Sequence, residues 1–154
     1  MVSAEQAAAP PLPMVPSSPM VSAQMSRLPR RDTGPEVQLR RMLYAQGLRY
    51  RVQLPVPDWR RRTIDVAFTR AKVAVFVDGC FWHGCPEHGM VPRSNQAWWA
   101  AKLEANRRRD AETTVHLQAR GWRVLRFWSH EDIVEIAAAI TQSLCDQLAS
   151  EMNL

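Results

Sequence analysis

Cysteine, lysine and long apolar runs are what this chain of 154 residues has least of. Its cysteines number three, and Cys80 and Cys85 stand five positions apart, which rules out a secreted disulfide framework and favours a reducing, cytoplasmic setting. No apolar stretch approaches the roughly 18 residues of a membrane span, and the N-terminus has neither the basic start nor the unbroken hydrophobic core of a signal peptide. Lysine is nearly missing: two lysines stand against 18 arginines, in a chain of net charge +5 and pI near 9.7. Arginine grips phosphate with a planar, bidentate fork, so the bias points to a nucleic-acid partner, with a GC-rich coding sequence as the competing cause. There is no internal repeat.

What is present suits a single domain with a real core. Residues Met1 to Gln24, rich in Ala, Pro, Ser, Val and Met with a single charge, read as a disordered leader ahead of a folded domain over 25–150. Met14, Met20 and Met25 leave a downstream start open. In the stretch DTGPEVQLRRMLYAQG, Thr33 and Glu36 have the spacing of a capping box, which predicts a helix from about Pro35 to Gln46. RYRVQLPVPDW, TIDVAFT and KVAVFVDG are three short strands, the last two expected as a central hairpin. A helical stretch over Ser94–Ala119, broken near Asn106, precedes the strand WRVLRFW and a last helix over His130–Ser150. The order α-β-β-β-α-β-α gives a mixed α/β layer fold.

The densest chemistry lies in FVDGCFWHGCPEHG, Phe76 to Gly89. Asp65 in one strand and Asp78 at the end of the next are placed to meet at one sheet edge, where two carboxylates hold Mg²⁺ against a phosphate. An Asp ending a strand is as often a turn former. Cys85 and His88 have the C-x2-H spacing at which one turn supplies two ligands to a zinc. Cys80 and His83 would complete four ligands within nine residues, a cramped tetrahedron. Half a site completed from His116, His130, Asp110 or Cys145 is therefore expected, with Cys80 a small packed residue.

VFVDGCFWHGCPEHG, with RDTGPE before it and NRRRD and GWRVLRFWSHE after it, resembles the very-short-patch repair (Vsr) DNA mismatch endonucleases over roughly Met25 to Glu135. The resemblance implies a restriction-endonuclease-like fold with a structural Zn²⁺ and a catalytic Mg²⁺. It implies a single-strand nick beside the T of a T:G mismatch left by deamination of 5-methylcytosine. By position it makes Asp65 the central Mg²⁺ ligand, His83 the general acid/base and Glu36 a support at the edge of the active site. It makes Cys85, His88, Asp110 and His130 the zinc set, His130 standing where the best-known members have cysteine. Val77-Asp78 stands where those members have Thr-His, so Asp78 as a second Mg²⁺ ligand rests on the general nuclease fold. Cys80 stands where that superfamily carries a lysine, which leaves His83 as the proton-transfer group.

The resemblance further implies that Phe81 and Trp82 stack into the opened helix, with Met25 inserting from the opposite groove; without it, both aromatics would be assigned to the core. Arg27 and Arg31, with Arg107 to Arg109, are candidates for phosphate contacts, and Arg60 to Arg62 read as an exposed turn. Trp98, Trp99, Trp122 and Trp128 are expected in the core. The expected partners are mismatched double-stranded DNA and general mismatch-repair proteins, met by a cytoplasmic monomer. A zinc-bearing DNA-binding module without catalysis would leave Asp65 and Asp78 idle. A nuclease of the same fold that cuts matched DNA differs only in its indifference to the mismatch.

Overall fold

Val-rich segments separated by turn residues form a four-stranded sheet, and the helices between and around them cover both of its faces. In the computed structural model, which describes residues 32–80, 83, 85–87 and 94–153, the elements are α1 (Gly34–Ala45), β1 (Arg51–Val56), β2 (Trp59–Phe68), β3 (Val73–Asp78), α2 (Gln96–Ala119), β4 (Arg123–Trp128) and α3 (Ile133–Met152). The strand order is β1-β2-β3-β4, antiparallel except for the parallel pair β3/β4, which α2 connects. The expected order of elements and the central β2/β3 hairpin are therefore present. The fold is mixed α/β.

Two apolar layers sandwich the sheet. On one side Leu39 and Leu43 of α1 and Ile136, Ala137, Ile140 and Leu144 of α3 pack on Val66, Phe68, Val73, Val75 and Val77. On the other, Leu117 of α2 packs with Val56, Ile64, Ala67, Ala74 and Phe76. β3 is buried at every position, as an inner strand covered on both faces must be. Of the tryptophans expected inside, Trp99 is buried and Trp98, Trp122 and Trp128 are half-buried.

Three local features depart from the sequence reading. Thr33 precedes α1 but its side chain makes no cap bond; Glu36 instead accepts from the Asp32 backbone N–H at 3.0 Å. α2 runs unbroken through Asn106. Trp99, Leu103, Asn106, Asp110, Thr113 and Leu117 share one helical stripe at alternating spacings of three and four. Asn106 and Asp110 are thus polar insertions in an inward-facing stripe, and both line a cleft. The third is a broken pleat in β2: Ile64 packs in one layer and Val66 in the other, although residues two apart in a regular strand share a face. The break falls at Asp65. Opposite it in register, between the pairs Val52↔Val66 and Leu54↔Ile64, Gln53 has a left-handed φ of 50°. Such irregularities re-aim a side chain that a flat strand would bury or expose.

The leader expected over Met1 to Gln24, and Met25, Arg27, Arg31, Phe81, Trp82 and His88, lie outside the described residues. Among the described residues no helix is long and apolar enough to cross a membrane.

Candidate active site and metal centre

The C-terminal ends of the parallel strands β3 and β4 lie side by side, joined by the Ser129 N–H donating to the Asp78 carbonyl at 2.9 Å. Ligand sites favour this edge in sheets with parallel strands. Beyond Asp78 the chain turns back on itself, with the His83 N–H on the Gly79 carbonyl and the Cys85 N–H on the Cys80 carbonyl. Two groups of side chains form there: Asp78, His83 and Asp110, and Cys80, Cys85 and His130.

The first group lines a cleft of about 320 Å³ with Glu36, Asp65, Asn106 and Arg126. Asp65 is fixed by the Val77 N–H, which donates to its Oδ2 at 2.9 Å. Its carboxyl is pushed up to about 7, chiefly by burial, with the charges of Glu36 and Asp78 adding and the Val77 N–H and Arg126 opposing. Glu36 is buried because it shares a helical face with Leu39 and Leu43, and burial raises its carboxyl against the Asp32 N–H, Thr33 and Arg40. Asp78 is raised by burial too, with Arg126 and His83 pulling the other way. Glu36 and Asp78 are buried and Asp65 half-buried; burial holds all three carboxyls above their usual range, a cost that a divalent cation on oxygen ligands beside Asp65 and Glu36 would offset.

His83 Nδ1 lies 2.5 Å from Asp110 Oδ2 and 3.8 Å from Asp78 Oδ1. Burial by itself lowers the imidazole's pKa, but the Asp110 hydrogen bond and the two carboxylate charges prevail and hold it above its ordinary value. With Nδ1 committed to Asp110, Nε2 is the nitrogen left to exchange a proton with a substrate. Arg126 organises this group from β4. Its Nη1 reaches both Asp78 oxygens at 3.1 and 3.2 Å, its Nη2 donates to the Asp110 carbonyl, its Nε to Thr114, and its guanidinium lies over the Phe76 ring. Arg126 went unnoticed in the sequence. The available signal was a charge in the middle of the strand WRVLRFW, beyond the Arg123 at its start, since a charge inside a covered sheet needs a partner.

The second group is thiol and imidazole. His130 Nδ1 lies 3.1 Å from Cys80 Sγ and 3.7 Å from Cys85 Sγ, while His130 Nε2 faces Glu87 at 3.4 Å. Two sulfurs and an imidazole nitrogen are soft and borderline donors that suit zinc, and a carboxylate behind the histidine is the usual support of such a ligand. The donor chemistry therefore fits the expected metal, and the side chains group differently from the expected set. Cys80, expected as packing, stands with Cys85 and His130. Asp110, expected in that set, is bonded to His83, because its place in the stripe of α2 carries it to the carboxylate cleft. Asp78, expected as a second Mg²⁺ ligand, accepts from Arg126 on both of its oxygens and stands with His83 and Asp110, while lining the same cleft as Asp65.

Gln53, opposite Asp65, was also missed. Its Oε1 accepts from the Thr63 hydroxyl at 2.9 Å, and its Nε2 is buried with no partner among the described residues.

Comparisons with known proteins give the family. Residues 18–87 match the family model described as DNA mismatch endonuclease Vsr. The chain is 43% identical over 125 residues to the type II nicking enzyme V.NaeI of Lentzea aerocolonigenes, covering 80% of this chain and 75% of that protein. It is 32% identical over 134 residues to the DNA mismatch endonuclease Vsr of Escherichia coli, covering 84% and 78%. The chain belongs to the Vsr family. It is a DNA mismatch endonuclease, an endodeoxyribonuclease that binds DNA, and membership of the Vsr family is consistent with a restriction-endonuclease-like fold. The type II nicking enzyme V.NmeDIP of Neisseria meningitidis serogroup C is a further relative, 42% identical over 126 residues and covering 80% of this chain and 82% of that one.

Proposed function

We propose that this Vsr endonuclease makes a Mg²⁺-dependent nick in one strand beside the T of a T:G mismatch. The observation that carries the chemistry is the meeting, in one cleft, of the half-buried Asp65 carboxylate with the His83–Asp110 pair. Hydrolysis of a phosphodiester needs a water aimed at phosphorus and a proton for the departing ester oxygen. Water's oxygen bonds to phosphorus, one P–O ester bond breaks, and the leaving oxygen takes up a proton.

His83 is suited to the proton step, since Asp110 fixes its ring and, with Asp78, keeps it protonated to a higher pH than a free imidazole. Asp65, with Glu36 beside it, is the group that would hold Mg²⁺, which when bound supplies Lewis-acid stabilisation of the phosphate charge. Arg126 keeps Asp78 and the backbone of Asp110 in place. In the same reading Cys80, Cys85 and His130 hold Zn²⁺, with His88, three residues beyond Cys85, as fourth ligand.

The mismatch preference is supported by kinship with the Escherichia coli protein named a DNA mismatch endonuclease and by chain order. Phe81-Trp82 falls between Cys80 of the thiol group and His83 of the cleft, so any base stacked on that pair would be held close to the scissile phosphate. Stacking returns about 1–3 kcal/mol per base, and a mismatched pair opens more cheaply than a matched one. A nicking assay on duplexes carrying T:G, T:A or C:G in randomised flanks, with and without Mg²⁺, tests the reading. One cut strand on T:G only, dependent on the metal, is expected; equal cutting of matched duplex would overturn the mismatch preference.

A further inference from the structure

Arg60, Arg61 and Arg62 are consecutive in β2, yet none has a partner across the hairpin. Pro55 pairs with Thr63 and the next residue, Val56, pairs with Trp59, so the three arginines are looped out of the ladder between them. A bulge of this kind costs ladder hydrogen bonds and is found where side chains must be re-aimed.

What the bulge aims at follows from its fastening. Arg62 is spent on structure: it donates to the Thr113 hydroxyl, the Arg109 carbonyl and Glu112, and lies over the Trp59 ring. These bonds tie the bulge to α2. Arg109 returns a bond to the Arg61 carbonyl. Arg60 and Arg61 remain exposed, and no carboxylate pairs with either among the described residues. Together with Arg109 they line an open cleft of about 910 Å³ whose one acidic residue, Asp58, is already paired with Arg120. Arg61, Arg62 and Arg109 also line the cleft that holds Asp65. The positive cleft is therefore continuous with the active site.

We propose that this three-arginine bulge is a phosphate track, over which the backbone of the DNA being cut runs across Arg60, Arg61 and Arg109. The proposal rests on the nuclease reading of the Asp65 cleft. Arg61 is four residues from Asp65, at most about 13 Å along a strand. At 3.4 Å of rise per nucleotide the track meets phosphates within about four nucleotides of the cut. A chain of evenly spaced negative charges satisfies a cationic groove that opens into a carboxylate site, and guanidinium forks grip its phosphates bidentately.

The test is the salt dependence of binding, which counts neutralised phosphates without requiring a cut. For the double variant Arg60→Ala, Arg61→Ala, the slope of log affinity against log salt on a T:G duplex should flatten by about 1.8, or 0.9 for each lost phosphate contact. Arg60→Lys with Arg61→Lys should keep the slope, and Arg70→Ala, an exposed arginine beyond the opposite end of β2, should leave it unchanged. Neutral methylphosphonates within four nucleotides of the cut should flatten the slope more for the wild type than for the double-alanine variant, which keeps Arg109. An unchanged slope in that variant, an equal loss in Arg70→Ala, or a methylphosphonate effect as large in the double variant as in the wild type would each overturn the track. A wild type that binds but never nicks defeats the nuclease reading and leaves this count intact.

Discussion

The two side-chain groups at the sheet edge share one turn of chain and differ in almost everything else. Each contains a histidine steadied by a carboxylate, Glu87 behind His130 and Asp110 behind His83. In the thiol group the other imidazole nitrogen faces two sulfurs, of which Cys85 is only 2% exposed. In the carboxylate group the other nitrogen is left uncommitted beside a cleft. The same device thus serves opposite ends: an imidazole closed on two sulfurs suits a metal and gives rigidity, and one opening on a cleft gives chemistry. Sharing a turn makes the first the support of the second, because whatever fixes Cys80 and Cys85 also fixes His83 between them.

The largest effect should come from the thiol group. If Cys80, Cys85 and His130 hold zinc, the binding free energy, on the order of 10 kcal/mol, is also folding free energy. Cys80→Ala should therefore lower zinc content, denaturant midpoint and soluble yield together. Asp110→Asn should retain the metal in full. Zinc analysis beside urea unfolding reads both variants; metal lost from Asp110→Asn and kept in Cys80→Ala would restore the ligand set expected from the sequence.

Asp65 comes next, and here stability and activity should part company. Asp65→Asn should cut nicking by roughly 10³-fold or more, about 4 kcal/mol of barrier, while binding to mismatched DNA persists. In the protein without Mg²⁺ the same change should help the fold. The Asp65 carboxyl titrates near 7 when folded against 3.8 as an ordinary carboxyl. Below about 4 both forms are protonated and its contribution is fully present; between about 4 and 7 the unfolded chain ionises first and stability drains away. Glu36, Asp78 and His83, all raised, act in the same sense. Urea midpoints from pH 4 to pH 8 should fall for the wild type and fall less for Asp65→Asn. Parallel curves would mean that Asp65 is not the strained carboxyl.

Much of this was legible in advance, and what was not has physical causes. Element order followed from Val-rich strands punctuated by turn residues, and the chemistry of the turn from its crowded ligand types. Membership of the two groups did not follow. Spacing places Cys85 and His88 one turn apart, but only the backbone bonds that fold the turn back bring Cys80 beside Cys85. The resemblance assigns Asp110 to the zinc set, although its register with Leu103 and Leu117 marks the inward stripe that leads to the carboxylate cleft. Gln53 and the arginine bulge were hidden because a broken pleat or a jump in register depends on pairing between strands, which no single segment records.

His83→Ala should reduce nicking about 10²- to 10⁴-fold, the usual contribution of a proton-transfer group, with zinc content and melting temperature close to the wild type. That result separates the two histidines, since His130→Ala should fail first in folding.

The smallest effect expected is the most specific. Asp110 does not touch the phosphate in this reading; it sets the ring and the titration of His83. Asp110→Asn removes a charge and weakens a hydrogen bond, both of which raise the His83 pKa, so the imidazole should lose its proton at lower pH. If His83 gives its proton to the leaving oxygen, nicking falls as pH rises through that pKa, and the falling limb should move to lower pH in the variant. A purely structural role for Asp110 would scale the whole pH–rate curve without moving its limbs. Single-turnover rates of both proteins from pH 5.5 to pH 9 distinguish the two, and an unmoved limb would assign His83 a role other than proton donor.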